Sequence, residues 1–203
     1  MPRGVKAPLY LGLPKRLARM RLASGKTAQA LSQLAGAALS TWLRIETQRR
    51  LPTIDTIERL AQALGVSPCW LAFGAQGEDP FRQRRPRPPL LPDEPVPCPG
   101  KGAVIDLHVG FSKRLRERRG ELGLSLRELG QRAGVSAQAI VHAEADRSVP
   151  KVDTLEALAF ALGVSPCWLA YGQGNPPAGY RVSSGPGGNR RAARYPRSPS
   201  SEV

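Results

Sequence analysis

Apolar residues recur every three or four positions in short blocks along this chain, with charged residues between them. The first block contains Leu13, Leu17 and Met20, and a later one contains Leu31 and Ala35. This spacing places the apolar side chains on one face of an α-helix. The blocks are rich in Leu and Ala and poor in aromatic residues, so the pattern predicts short amphipathic helices rather than a sheet.

The residues between the blocks are typical of helix ends. Gly25 and Gly65 each follow a block, and glycine commonly ends a helix. Thr27 and Ser67 each precede a block, where their side chains can cap the first helical turn. Capping boxes are predicted at three pairs: Asp55 with Glu58, Ser125 with Glu128, and Asp153 with Glu156. Residues 12–74 are therefore predicted to form five short helices.

The same pattern occurs twice in the chain. Residues 63–72 return unchanged as residues 161–170, which sets an offset of 98 positions. With that offset, residues 12–74 align with residues 110–172 without a gap, and 29 of the 63 aligned pairs are identical. The chain is therefore a tandem duplication, predicted to be all-α with two five-helix domains.

The segments outside the two copies differ in composition. Residues 75–109 are rich in proline and predict an extended, semi-rigid linker that leaves the spacing of the domains free. Residues 173–203 are rich in Gly, Pro, Ser and Arg and lack core-forming residues, which predicts a disordered basic tail. Residues 1–11 are interpreted as a loose arm.

The charge of the chain indicates a polyanionic partner. Its formal net charge is +14 and its pI about 10.8, which suits nucleic acid or an acidic membrane surface, although excess charge can also serve solubility alone. The first copy has nine Lys and Arg against three Asp and Glu, a net +6, and the second has nine against seven, a net +2. No apolar run is long enough to span a bilayer, so no membrane association is expected.

The three cysteines do not suggest a metal site. Cys69 and Cys167 are equivalent residues of the two copies, Cys98 lies in the predicted linker, and no Cys-x-x-Cys pair occurs. We expect free, buried thiols rather than a disulfide or a zinc site, and a reducing cytoplasm as the location. The acidic residues show no arrangement with His, Ser or Cys that would serve catalysis, so neither an enzyme nor a cofactor is predicted.

Helix 2, a glycine turn and helix 3 of each copy form the helix-turn-helix pattern. Gly36 allows the sharp turn in the first copy. The small residues Ser32 and Gly130 stand where the two helices approach each other, and Trp42 and Ile140 are apolar anchors that seat helix 3 on the core. This geometry leaves the outer face of helix 3 free to enter a major groove.

A longer set of residues extends this pattern over a whole copy. In the second copy it comprises residues 115–119, 123–129, 134–136, Ile140, Glu144, Pro150, residues 153–156 and residues 162–165. On these residues both copies resemble the lambda-repressor-like, Cro-type helix-turn-helix family, also called XRE-type. The first copy departs from the pattern at Lys26 and residues 39–42. The resemblance implies a transcriptional regulator that binds double-stranded DNA.

The resemblance also implies which residues contact DNA. Base contacts fall early in helix 3 and one turn later, at Leu39, Ser40, Arg44, Ala137, Gln138 and His142. Phosphate contacts fall at the start of helix 2 and in the loop before helix 4, at Gln29, Arg49, Arg50, Thr53, Arg127, Arg147 and Lys151. Where the family often has a phosphate-binding Gln at the start of helix 2, this chain has Ala28 and Leu126.

Two ion pairs are implied in the same way. The family joins an Arg late in helix 1 to the Glu that ends helix 3, which corresponds to Arg21 with Glu46 and to Arg119 with Glu144. We interpret both pairs as structural supports of helix 3. His108 is interpreted as a linker residue, and His142 either as a base contact or as a solvated histidine.

Several alternatives stay open at the level of the sequence. A protein-interaction module, antitoxin-like or a dimerisation partner, is favoured by the apolar positions Leu39, Leu43 and Val141 and by the missing phosphate-binding Gln. A homodimer that uses one copy per chain is an alternative to one chain with two readers. Trp70 and Trp168 are interpreted as core residues, with an exposed dimer contact as the other interpretation.

Overall fold

The computed structural model describes residues 8–74 and 106–173, and within these ranges the chain is helical. Each copy begins with a short 3-10 helix, η1 (Leu9–Gly12) or η2 (Leu107–Gly110). The first copy continues with α1 (Leu13–Ala23), α2 (Ala28–Leu34), α3 (Leu39–Glu46), α4 (Ile54–Leu64) and α5 (Pro68–Phe73). The second continues with α6 (Phe111–Glu121), α7 (Leu126–Ala133), α8 (Ala137–Glu144), α9 (Val152–Ala161) and α10 (Pro166–Tyr171).

These ten α-helices, without a strand in the described ranges, confirm the predicted all-α fold of two helix-turn-helix units. The exact domain limits, 12–74 and 110–172, stay a prediction. The Pro-rich segment at residues 75–105 and the basic tail from residue 174 lie outside the described residues. No helix in the described ranges is both long and apolar enough to cross a membrane.

The predicted arm and the predicted linker are each wrong at their C-terminal end, where the structure has a 3-10 helix. Residues 9–11 of the predicted arm are helical, and so are residues 107–109 of the predicted linker. Each 3-10 helix packs partly on the opposite copy, η1 on α9 and η2 on α4. A sequence pattern taken one copy at a time could not indicate this order.

The predicted caps are found at most helix starts. Thr27, Ser67, Ser136 and Ser165 each accept a backbone N–H of the following helix, and Ser125 with Glu128 forms the capping box of α7. The capping boxes at Asp55 with Glu58 and at Asp153 with Glu156 are wrong. Here α4 and α9 begin at Ile54 and Val152, so their N-caps are Thr53 and Lys151, two residues before the predicted aspartates, and neither start has a side-chain cap. Both glutamates bind elsewhere.

The two copies pack directly against each other about an approximate two-fold axis. The segment before α4 meets the segment before α9, where the Ile54 N–H donates to the Pro150 carbonyl (3.1 Å) and the Val152 N–H to the Pro52 carbonyl (3.0 Å). The 98-residue offset converts each of these two bonds into the other, and the antiparallel bridge between them pairs Thr53 with its own equivalent, Lys151. This packing, rather than the linker, sets the separation of the domains in the structure.

Two buried glutamates, Glu58 and Glu156, each bind the backbone of the opposite copy. Glu58 accepts the backbone N–H groups of Leu107 (2.6 Å) and His108 (3.2 Å), and its other contact is His108 Nδ1 at 2.7 Å. Glu156 likewise accepts the N–H groups of Leu9 (2.7 Å) and Tyr10 (3.1 Å). His108 is thus part of the interface and not a linker residue. The carboxylates that the sequence suggested as caps instead hold the 3-10 helix of the opposite copy.

A disulfide joins Cys69 to Cys167, which contradicts the expected free thiols. The Cα atoms lie 5.2 Å apart, and both residues are almost completely buried. They are the same position in the two copies, so they meet because α5 packs on α10 next to the two-fold axis. The sequence places them 98 residues apart, and only this packing brings them within bonding distance. Trp70 and Trp168 are buried beside them, as expected of core residues.

Candidate nucleic-acid interface

The two candidate reading helices, α3 and α8, are held by one apolar face. Trp42 and Ile45 are buried in the first copy, and Ile140 and Ala143 in the second. A Cβ added to Gly130 of α7 would lie 2.5 Å from the carbonyl oxygen of Val135 in the turn before α8, so only glycine permits this close approach here. The opposite faces of both helices therefore remain accessible.

The six implied base-contact residues occupy those accessible faces. Leu39, Ser40, Arg44 and Gln138 are exposed, and Ala137 and His142 are half-buried. Gln138 Nε2 lies 2.8 Å from His142 Nε2. These two residues are one turn apart on α8, so their contact orients the Gln138 amide along the helix in the absence of DNA.

The ion pairs hold α3 and α8 from behind. Arg119 Nε and Nη2 bind the two oxygens of Glu144 at 2.6 and 2.9 Å, and its Nη1 donates to the Leu124 carbonyl at 2.9 Å. Arg21 binds Glu46 at 2.8 and 3.4 Å. The hydrogen bonds to these carboxylates raise the pKa of both arginines, so both remain charged. These contacts fix where each helix 3 ends.

The first copy adds a bond that the second lacks. Trp42 Nε1 donates to Glu46 Oε1 at 2.8 Å, whereas the equivalent residue in α8 is Ile140. Arg116 gives the second copy a different support, because its Nη2 donates to the Glu144 carbonyl at the end of α8 at 2.5 Å. The sequence did not single out Arg116, since nothing in the helical pattern separates it from solvated arginines.

The implied phosphate-contact residues form two groups. Gln29 and Arg127 are exposed at the starts of α2 and α7. Arg49, Arg50 and Arg147 are exposed in the loops that follow α3 and α8.

Thr53 and Lys151 lie at the two-fold axis itself. They face each other in the antiparallel bridge; Thr53 is half-buried and Lys151 exposed. The two copies therefore bring their loops together at one place between the reading helices. A charged residue that the sequence analysis missed, Arg59 on α4, belongs to this region.

The two candidate reading helices, α3 and α8, are related to each other by the approximate two-fold axis. A two-fold rotation keeps every atom at its own height along the axis, so α3 and α8 lie at the same level on either side of the bridge. Short loops, residues 47–52 and 145–150, connect α3 and α8 to the bridge between Thr53 and Lys151.

Comparison with known families agrees with this geometry. A family model described as a helix-turn-helix domain matches residues 14–72, and a second described as helix-turn-helix matches residues 115–169. No curated protein and no solved structure matches the chain. The protein is thus of the helix-turn-helix class, whose kind of function is DNA-binding regulation. Within that class, the two matched segments are two XRE-type helix-turn-helix domains in tandem.

Proposed function

We propose that this protein is a transcriptional regulator that binds double-stranded DNA as a single chain, with α3 and α8 in two major grooves on one face of the duplex. The observation that supports this most strongly is the two-fold packing of the copies, which sets two reading helices at one level. Dimers of this class read half-sites about one helical turn apart, and here one chain supplies both halves.

The proposed DNA site is asymmetric. Equivalent positions of α3 and α8 differ in chemistry: Arg44 of the first copy corresponds to His142 of the second, and Ser40 corresponds to Gln138. Arginine pairs bidentately with guanine and glutamine with adenine. Arg44 is therefore assigned to a guanine in one half-site and Gln138 to an adenine in the other. Leu39 and Ala137 can contact only a thymine methyl group.

The proposed half-site separation is fixed by the contacts between the copies. The backbone bonds at Thr53 and Lys151, the glutamate contacts and the disulfide all join the copies directly. We therefore replace the expectation of a freely spaced pair of domains by one of a rigid pair. Exposed Arg49 and Arg147 occupy equivalent places and are proposed to bind the sugar-phosphate backbone of each half-site.

A binding-site selection with the full chain tests the proposal. We expect one asymmetric consensus, bound by one chain, whose affinity falls when about five base pairs are inserted at its centre, because half a helical turn moves one half-site to the opposite face. Arg44→Ala and Gln138→Ala should each relax specificity in a different half, by about 1–3 kcal/mol at one base pair. Recovery of a palindrome bound by two chains, or indifference to the insertion, would refute the single-chain reading.

A protein-interaction module remains the second candidate, because the outer face of α3 is partly apolar. Leu39 and Leu43 are 39% and 46% exposed, and both copies lack the family's phosphate-binding Gln. If that face binds protein, DNA binding will be absent, or will be unchanged by Arg44→Ala combined with Gln138→Ala. The predictions of a cytoplasmic, non-enzymatic protein without cofactor or metal belong to the main proposal. The reducing compartment was expected because the cysteines were expected to be free thiols, and the disulfide between Cys69 and Cys167 removes that reason.

A further inference from the structure

The disulfide between Cys69 and Cys167 lies where the two copies meet. Cys69 is on α5 and Cys167 on α10, two helices that pack on each other, and neither cysteine is more than 1% exposed. Hydrogen bonds also cross this joint, among them the bond from the Tyr171 hydroxyl to the Ile54 carbonyl at 3.1 Å. Of the contacts described across the joint, the disulfide is the one that a change of oxidation state makes or breaks.

The place where a DNA-binding regulator works favours a reversible bond over a permanent one, and this step rests on the proposed function. Independently of the cysteines, a protein that acts on DNA inside a cell works where thiols and dithiols keep most cysteines reduced. Disulfides that form in such a compartment are commonly transient and redox-sensing. A bond of this kind at a joint between two domains converts oxidation into a change in how the domains are held.

The bond also determines how far the copies can separate. While it is closed, α5 and α10 are tied at residues that are each other's equivalents, and the joint cannot open there. When it is open, the covalent connection that remains is residues 75–105, and a chain of that length can extend over roughly 100 Å at ~3.1 Å per residue. Reduction therefore leaves the spacing of α3 and α8 to noncovalent contacts alone.

We propose that the Cys69–Cys167 bond is a redox switch for DNA binding. The oxidised chain binds its asymmetric site as a rigid pair of domains, and reduction lowers the affinity by releasing the pair. A dithiol reductant supplies the electrons: its thiolate attacks one sulfur, the Cys69–Cys167 bond breaks, and its second thiol resolves the mixed disulfide. Two electrons pass to the protein, the reductant becomes a disulfide, and its two protons end on Cys69 and Cys167.

Burial of both sulfurs couples this switch to the state of the joint. An attacking thiolate must reach a disulfide sulfur, and both cysteines are buried between the copies, so exchange requires α5 and α10 to part. A duplex bound by both copies holds the joint closed and so opposes reduction. Because linkage is reciprocal, DNA stabilises the disulfide by the same factor by which the disulfide tightens DNA binding.

The first experiment measures the DNA affinity of the full chain in both oxidation states. We expect reduction by dithiothreitol to weaken binding to the selected site by about 5–150-fold, the usual range of coupling between two sites, and to lower the penalty of inserting about five base pairs at its centre. Cys69→Ala with Cys167→Ala should bind like the reduced chain in either state. Cys98→Ser is the matched control and should respond like the unmodified chain. Equal affinities and equal insertion penalties in the two states would overturn the proposal.

The second experiment measures the reciprocal effect. The oxidised fraction of the Cys98→Ser chain is followed in mixtures of reduced and oxidised dithiothreitol, by alkylation and mass spectrometry, with and without the selected duplex. We expect the duplex to raise the equilibrium constant for disulfide formation by the same factor as in the affinity measurement. No shift of that constant would overturn the proposal. Loss of helical circular dichroism on reduction would do so too, because the bond would then serve the fold of the domains rather than their pairing.

A third measurement separates this proposal from the proposed function. Spin labels carried by unnatural amino acids at Gln33 and Gln131, which are exposed equivalents on α2 and α7, report the separation of the copies without DNA. We expect a narrow distance distribution in the oxidised chain and a broader one after reduction. An unchanged distribution in a chain that binds DNA would refute the switch alone. Absence of DNA binding in both states would refute the proposed function, while broadening on reduction would still support redox control of the joint.

Discussion

The joint between the two copies and their candidate reading helices differ sharply in how far they have diverged. Residues 63–72 and 161–170, which carry the disulfide and all but the last residue of α5 and α10, are identical. Helices α3 and α8 share one identical residue in eight, the glutamate at Glu46 and Glu144 that pairs with arginine. The segment that carries the disulfide is unchanged, although Thr53 and Lys151 of the same joint differ, and the outward faces of α3 and α8 have diverged.

The geometry of a two-fold axis gives a physical reason for this difference. Next to such an axis each residue contacts its own equivalent, so one self-complementary surface serves both copies. The Cys69–Cys167 bond is the plainest case, because a change in either copy would leave the other thiol unpaired. The reading helices lie away from the axis and face different half-sites, so each can change by itself. The difference therefore separates assembly from recognition.

The largest expected effect on stability comes from removing the disulfide that joins the two copies. Cys69→Ser with Cys167→Ser opens a crosslink across 98 residues, and loop-closure entropy predicts a loss of about 3–5 kcal/mol in the free energy of unfolding. Urea denaturation of the variant against the oxidised protein, with thiols counted by mass spectrometry, measures it. Cys98→Ser is the control and should leave the midpoint unchanged. Equal midpoints for oxidised protein and double variant would show that the joint does not need the bond.

The two ion pairs that support α3 and α8 should contribute unequally to the free energy of unfolding. Arg119→Ala should cost about 2–3 kcal/mol, because it removes a bidentate bond to Glu144 and a bond to the Leu124 carbonyl. Arg21→Ala should cost about 1–2 kcal/mol, since Glu46 keeps the Trp42 indole as a donor. Arg119→Lys, which keeps the charge without the bidentate geometry, should fall between wild type and alanine. The measurement is chemical denaturation, and a larger loss at Arg21 would contradict this order.

The starts of the reading helices offer a smaller and reciprocal test. The Ser136 side chain accepts the Ala139 N–H at the start of α8, whereas Ala38 leaves the start of α3 without a side-chain cap. Ser136→Ala should cost about 1 kcal/mol, and Ala38→Ser should add up to about 1 kcal/mol. Thermal unfolding of both variants checks the signs. A loss of stability in Ala38→Ser would show that the first copy cannot accept the cap of the second.

The smallest expected effect is a pH dependence of the joint. Burial raises the pKa of Glu156 above its ordinary 4.5, an effect partly offset by the N–H groups of Leu9 and Tyr10 and the charge of Arg16. Protonation therefore favours the folded state, so this contribution to stability is full below pH 4.5 and is lost as the pH rises through the raised pKa. Glu156→Gln should remove that loss in denaturation curves measured across this range.

Glu128 provides the control of opposite sign. Hydrogen bonds from Ser125 lower its pKa below 4.5, so its contribution is present above pH 4.5 and is lost as the pH falls through the lowered value. Glu128→Gln should therefore remove a loss on the acid side. The same pH profile for both glutamine variants would contradict the assignment.

Much of each domain was predictable from local pattern. Glycine stops, the Thr27 and Ser136 caps and the buried anchors Trp42 and Ile140 depend on residues close in sequence. The predicted capping boxes at α4 and α9 failed for a nonlocal reason. Glu58 and Glu156 lie three residues after an aspartate, but each binds the opposite copy, whose backbone N–H groups compete with the local cap.

By itself, the sequence determined the all-α fold, the duplication and the residues on the outer faces of α3 and α8, because these follow from periodicity within a few helical turns and from comparison of one copy with the other. Only the tertiary structure decided that the copies form a two-fold pair, that Cys69 and Cys167 bond, and that Thr53 meets Lys151. These contacts join residues roughly a hundred positions apart. Their formation depends on which apolar surfaces remain uncovered once each domain has folded, and no local pattern records that.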